Sequence, residues 1–424
     1  MGMNRIECHS HTKLSNARII DALNSPEDLI DRAIELGLSG IAITDHEILS
    51  AHPKANKYAE KILKEHPDFK VILGNEIYLV NERPTDNHYH FILLAKDAIG
   101  HKQLRILSSL AWLNSYTAKG QERVDTLKSD LERIVKEDEG HLIASTACIG
   151  GELGKRILAM TAAEKVGDTN EVANQHNKIV EFLLWCKELF EEDFYLEVQP
   201  AQSKEQIIVN RRMVSISNAF GIKMIPTCDA HYLKKEDRFY HKAFLNSKEA
   251  EREVDAFYAD TYLHSNEELI EKFKASDYDS SFVKKMFDNT MEIYEKIENF
   301  SLAHPQTIPH INVPFYKKSS PSEYGIYPTL MKLFNSENEI QRYWVNECIN
   351  KLKEINKHNE VYLNRLEEEA DIKMTISEKL NTNFFAYPVV LQHYVDTFWK
   401  CGSTVGAGRG SSCSGLNHYL LGVT

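Results

Sequence analysis
The chain has 424 residues, 42% hydrophobic and 26% charged, with 50 Lys and Arg against 62 Asp and Glu, a formal net charge of −12. That length holds two or three domains with real cores, and there is neither an apolar run long enough to span a membrane nor the apolar core of a signal peptide. Seven cysteines, an odd number without disulfide-like spacing, point to a reducing cytoplasm, and the acidic balance excludes a global basic footprint for nucleic acid, so any DNA or nucleotide contact must be local or mediated by metal ions.

Residues 1–235 read as repeated strand–helix units. The apolar lead Ile6–Cys8 predicts a first strand, and alternation beyond it puts His9 and His11 on one face, where two imidazoles can share a metal ion. Ser25-Pro26-Glu27-Asp28 opens a helix with a Ser cap, Pro in the first turn and an acid three residues on; Leu29, Ile30, Ala33 and Ile34 form its apolar face and Gly37 ends it. Gly40–Thr44 reads as a buried strand stopped by Asp45-His46. Val71–Leu73 reads as the next, ended by Gly74-Asn75-Glu76, and Tyr89–Ala95 as another, carrying His90.

Helical stretches are expected over about 100–115 and 126–137. The strand Leu142–Ser145 leads to Cys148 and the turn Gly150-Gly151. Phe194–Val198 is a strand containing Glu197, and Lys223–Thr227 ends in Asp229-Ala230-His231. Alternating strands and helices imply a parallel sheet closed as a barrel. Residues 236–304 are polar and mostly helical, an extension of that domain. Pro305, Pro309 and Pro314 mark a linker, followed by charged helices over 325–380 and the glycine-rich run Gly406–Ser412.

The polar groups at predicted strand ends, His9, His11, His46, Glu76, His90, Cys148, Asp229 and His231, would gather at the C-terminal mouth of such a barrel; of these only His90 lies within its strand. Singly, most have ordinary explanations: Asp45 beside His46 as a helix cap, Cys148 as a small buried hydrophobe, Asp229 as the start of a turn. As a set they predict a metal site.

The order H-x-H, Ile-Thr-Asp-His, Gly-Asn-Glu, strand His, Ser-Thr-Ala-Cys and Asp-Ala-His resembles a PHP (polymerase and histidinol phosphatase) domain, in the form found at the N-terminus of bacterial and phage C-family DNA polymerases, the DNA polymerase III alpha subunits. The likeness continues through Tyr195–Gln199, Asp229–Leu233, Tyr262–Ser265, Ile308–Pro314 and the glycine loop. It implies a distorted, seven-stranded β/α barrel (residues 1–235), a helical extension (236–304) and the incomplete N-terminal part of an α+β polymerase palm (305–424). The family's remaining ligand, an Asp shortly after H-x-H, falls on Asp21 at a longer spacing.

The resemblance further implies a cluster of up to three divalent ions: His9, His11, Glu76 and Asp229 around one; Glu76, His90 and Cys148 around a second; Asp21, His46 and His231 around the third. The mixed donors favour zinc, with manganese or iron accommodated by the carboxylates. Such ions activate water and neutralise a phosphodiester, which implies catalytic roles for His9, His11, Glu76, Asp229 and His231 in a 3′–5′ proofreading exonuclease. Gly408, Arg409, Gly410, Ser411 and Ser412 would bind a deoxynucleoside triphosphate.

Polymerisation needs palm carboxylates holding Mg²⁺, which the family places after this loop. The one D-x-D, Asp277-Tyr278-Asp279, reads as a loop, so the chain is not expected to polymerise alone. The implied partners are the DNA 3′ end, deoxynucleoside triphosphates, the rest of the polymerase and replisome subunits. Two further readings stand beside this one: a metal-braced structural module that stabilises the polymerase or docks a partner, and a phosphatase for small phosphoesters, against which the palm-like last third argues.

Overall fold
Short runs of β-branched and aliphatic residues supply the strands of a computed structural model that describes residues 4–118, 120–247, 258–305 and 307–424, with only the backbone of Ser412. It divides into two compact units, Met1–His304 and Pro305–Thr424. The strands of the first unit are β1 (Ile6–Glu7), β2 (Gly40–Ile43), β3 (Lys70–Val80), β4 (Tyr89–Ala95), β5 (Tyr116–Ala118), β6 (Gln121–Arg123), β7 (Thr126–Leu127), β8 (Leu142–Ser145), β9 (Phe194–Val198) and β10 (Met224–Pro226).

The main sheet runs β1-β2-β3-β4-β8-β9-β10, with β7 paired to β3. Its two edges are drawn together beyond β1 and β10, where Ala230 N–H donates to the His9 carbonyl (3.2 Å) and His11 N–H to the Ala230 carbonyl (2.9 Å). The result is a nearly closed barrel with one difference from the expected parallel order: β4 is antiparallel to both β3 and β8. Residues 81–88 are too few for the crossover that a parallel return needs, so the chain folds straight back.

Alternation sorts the strand residues into two faces. Ile41, Ile43, Leu73, Leu93, Ala144 and Leu196 face the surrounding helices, among them Pro26–Glu35, whose Ser25–Asp28 capping box forms as expected. Ile6, Ala42, Ile72, Ile92, Leu94, Ile143, Tyr195 and Ile225 form a separate cluster with Ile293 and Ile297. Ile293 lies on the helix Ser280–Lys296 and Ile297 is its C-cap residue. Continuing at the same period, β3 passes from Ile72 to Glu76 and Tyr78, β4 from Leu94 back to His90, and β9 from Tyr195 to Glu197. One face thus runs from an apolar plug to a polar site.

Residues 258–304, polar on average, bury Leu269, Phe273, Val283, Met286 and Phe287 in the main core. The second unit is helical, with no strand among the described residues. Its helices are Pro328–Phe334, Glu339–Glu354, Glu360–Leu380, Ala386–Lys400 and Leu416–Leu420, around a core centred on the fully buried Trp344. Ile340, Trp344, Cys348 and Leu352 recur at helical spacing, as a one-sided helix requires. No helix among the described residues is long and apolar enough to cross a membrane.

Candidate metal centre
The segment after β1 is pinned before it offers any ligand. Asp45 accepts from Thr12 N–H (2.6 Å) and Thr12 Oγ1 (2.8 Å), and Thr44 Oγ1 donates to the Ser10 carbonyl. These bonds fix His9 and His11, both fully buried, with their Nε2 atoms 3.0 Å apart. Asp229, in the left-handed region at φ 49°, brings Oδ1 to 3.2 Å from His9 Nε2 and 3.1 Å from His11 Nε2. Glu76 faces the same pair at 3.6 and 3.8 Å.

Glu76 also meets His46 Nδ1, and its Oε1 lies 2.8 Å from His90 Nδ1, which in turn lies 3.4 Å from Cys148 Sγ. Asp21 Oδ2 is 3.2 Å from His46 Nε2 and 3.6 Å from His231 Nε2. The loop that delivers Asp21 is stapled by Asn16. Its Oδ1 accepts from the N–H groups of Asp21 and Ala22 (both 3.0 Å), and its Nδ2 donates to the Ala22 carbonyl (2.7 Å).

All nine candidate ligands are therefore brought together. Three groups, His9 with His11 and Glu76, Glu76 with His90 and Cys148, and His11 with His46 and His231, have ligand atoms within 4.8 Å of one another. In the third, His11 stands where Asp21 was expected; Asp21 lies alongside, against His46 and His231. Glu76 is not at a strand end: β3 continues through it to Val80, because pairing with β4 extends to Leu79 and Tyr89.

The donor set fits divalent cations. Ligand atoms around a tetrahedral ion bonded at 2.0–2.1 Å lie about 3.3 Å apart, the spacing seen here. Asp21 Oδ1 and His11 Nδ1 are buried with no hydrogen-bond partner, and Glu76 Oε2 and Asp229 Oδ1 face only imidazole nitrogens, an arrangement costly unless a cation answers it. Burial pushes Asp21, Glu76 and Asp229 up, yet the imidazoles around each hold the carboxyls well below their usual range.

Burial likewise opposes charge on His9, but Asp229 and Glu197 outweigh it and raise the imidazole to about 10; burial with His46 and His231 lowers His11 to about 3. Burial, then the Asp229 and Glu76 charges, push the Cys148 thiol up; a bound cation would reverse that. Residues absent from the sequence-derived set also enter the site. Tyr78 stacks on His90 at 4.6 Å, and Glu197 lies 2.7 Å from His9 Nδ1. The signal for Glu197 was a charged residue inside an apolar strand.

In the second unit, Gly408, Arg409, Gly410 and Ser411 are exposed, with Gly408 and Gly410 at positive φ; the Ser412 side chain lies outside the described residues. The amides that open the following helix, Leu416 N–H and Asn417 N–H, both donate to Glu369 (2.8 Å). A carboxylate of the chain itself thus takes the anion position there. Asp277 and Asp279 lie in a loop, as expected, where Asp279 caps the helix Ser280–Lys296.

The PHP domain model matches residues 7–201. The chain is 40% identical to a DNA-directed DNA polymerase of Bacillus phage SPbeta, across 99% of this chain and 34% of that protein. It is 28% identical to the DNA polymerase III alpha subunits of Borreliella burgdorferi (99% of this chain, 32% of that one) and Aquifex aeolicus (100% and 34%). Among solved structures, a proposed metal-dependent phosphoesterase from Bifidobacterium adolescentis aligns at TM-score 0.33 and 15% identity, over 55% of this chain and 88% of that one. The chain spans about a third of the length of the curated relatives it matches.

Proposed function
The chain carries a PHP domain and matches, along nearly all its length, the N-terminal regions of DNA polymerase III alpha subunits; on that premise we propose that it serves a replicative DNA polymerase in the cytoplasm and that its barrel is a metal-dependent 3′–5′ exonuclease for proofreading. The observation that carries this reading is the convergence of His9, His11, Asp21, His46, Glu76, His90, Cys148, Asp229 and His231 at one end of one barrel. Zinc, or manganese or iron, would be held there and would supply charge neutralisation and activated water to a phosphodiester. The loop 408–412, exposed over Gly408–Ser411, would meet a deoxynucleoside triphosphate through its own backbone and Arg409, since Glu369 already occupies the helix start.

The test is a primer with a mismatched 3′ end. The metal-loaded chain should release the terminal nucleotide, and His9→Ala should abolish release. No cleavage with Zn²⁺, Mn²⁺ or Fe²⁺, together with no effect of His9→Ala on metal content, overturns the reading.

One observation favours the alternative of a metal-braced structural module. His90 has a side chain 26% exposed, while the other eight candidate ligands are at most 5% exposed, so few ligand atoms are open to a DNA end. On that alternative, substituting a ligand lowers the melting temperature, and the unsubstituted chain cleaves no DNA.

A further inference from the structure
The motif Tyr195-Leu196-Glu197-Val198-Gln199 contributes none of the nine candidate ligands, yet Glu197 and Gln199 are 2% and 3% exposed and lie beside them. Both project from the end of β9 on the face that Tyr195 begins. The Glu197 carboxylate is saturated with donors. Oε1 receives His9 Nδ1 (2.7 Å), Thr227 Oγ1 (2.7 Å) and Gln199 Nε2 (3.0 Å), and Oε2 receives Ser145 Oγ (2.8 Å).

A carboxylate so placed accepts from His9, so Nδ1 keeps its proton and Nε2 is the nitrogen whose proton a cation displaces to gain the lone pair. Nε2 is the nitrogen that faces Asp229, Glu76 and His11. Gln199 Nε2 also reaches Asp229 Oδ2 (3.3 Å), which leaves Oδ1 turned toward His9 and His11.

We propose that Glu197 and Gln199 are positioning residues of the metal centre: Glu197 locks the His9 tautomer and strengthens Nε2 as a donor, and Gln199 aims the Asp229 carboxylate. This rests on the reading that His9 and Asp229 hold metal. A carboxylate behind a ligating imidazole fixes the ring and raises its basicity, and such partners are typically worth 10- to 100-fold in metal affinity. A role confined to joining β8, β9 and β10 is separable from this one. In Glu197→Gln the amide oxygen can still accept at the Oε1 position, and the Ser145 hydroxyl can turn to accept from the amide NH₂, so the strand links survive and the charge is lost.

The experiment uses the whole chain, stripped of metal, titrated with Zn²⁺ against a chromophoric chelator, with melting temperatures recorded on the metal-free proteins. Glu197→Gln is expected to weaken the tightest Zn²⁺ binding about tenfold, read at a temperature where the metal-free variant is still folded. Gln199→Met, which keeps the carboxylate and removes the clamp on Asp229, should also weaken binding, and it carries the test if Glu197→Gln fails to fold. Wild-type Zn²⁺ affinity in both variants overturns the proposal and leaves the metal reading standing. A wild-type chain that binds no Zn²⁺, or binds it as tightly as His9→Ala does, instead overturns the metal reading.

Discussion
At the scale of single residues, burial decides which groups can carry charge. His52, 1% exposed, has its Nε2 2.8 Å from the Gly74 carbonyl, so that nitrogen carries the proton and Nδ1 accepts from His101 Nε2 at 3.1 Å. Burial and then His101 lower His52 from 6.5 to about 3; burial and then Arg105 lower His101 to about 4. Both folded values lie below the unfolded one, so this stability is fully present above pH 6.5 and is lost as pH falls toward 4 and then 3. Melting temperature followed over pH 7 to 4 should therefore fall less steeply in His52→Gln than in the wild type. Cys148 makes a second residue-scale case. Its thiol is pushed up by burial and then by nearby carboxylates, so binding a cation must displace its proton. Cys148→Ser should lower the metal retained after dialysis, read by elemental mass spectrometry, with equal metal content refuting a ligand role.

Elements set where those residues stand. Asn16→Ala removes three hydrogen bonds from the loop that presents Asp21, a loss of about 2 kcal/mol measurable by urea unfolding. The turn 148–151 is equally constrained. A Cβ on Gly151 would be driven into the Thr146 carbonyl and would crowd the His90 and Cys148 carbonyls, so Gly151→Ala should destabilise the chain by about 1–3 kcal/mol. Legibility in the sequence was uneven at this scale. His9 and His11, His46, and Asp229 with His231 stood out because each follows a short apolar strand. Glu76 was placed at a strand end although β3 runs on, since the partner that extends β3 is a hairpin strand and not a local signal. Asn16 left no trace: its role is a set of bonds to backbone groups five and six residues away.

On the whole-molecule scale, two units have separate cores, one around the barrel and one around Trp344. Ligand binding stabilises what it binds, by about 2.7 kcal/mol at a hundredfold excess over Kd. Adding Zn²⁺ should therefore slow amide hydrogen exchange in segments 9–11 and 229–231 and leave the helix Glu339–Glu354 unchanged, as mass spectrometry of peptides can resolve. Exposed Lys317 and Lys318, in a stretch without regular structure, should be an early tryptic site.

The sequence by itself determined the strand–helix alternation, the helical faces and which side chains stand as candidate ligands, because each is written in residues a few positions apart and in the periods 2 and 3.6. Tertiary structure alone decided that β4 runs against its neighbours, that Glu197 stands behind His9, and that Glu369 takes the helix start beside the glycine loop. Those outcomes depend on strand order and loop path, which bring together residues tens or hundreds of positions apart, and no local pattern encodes such a pairing.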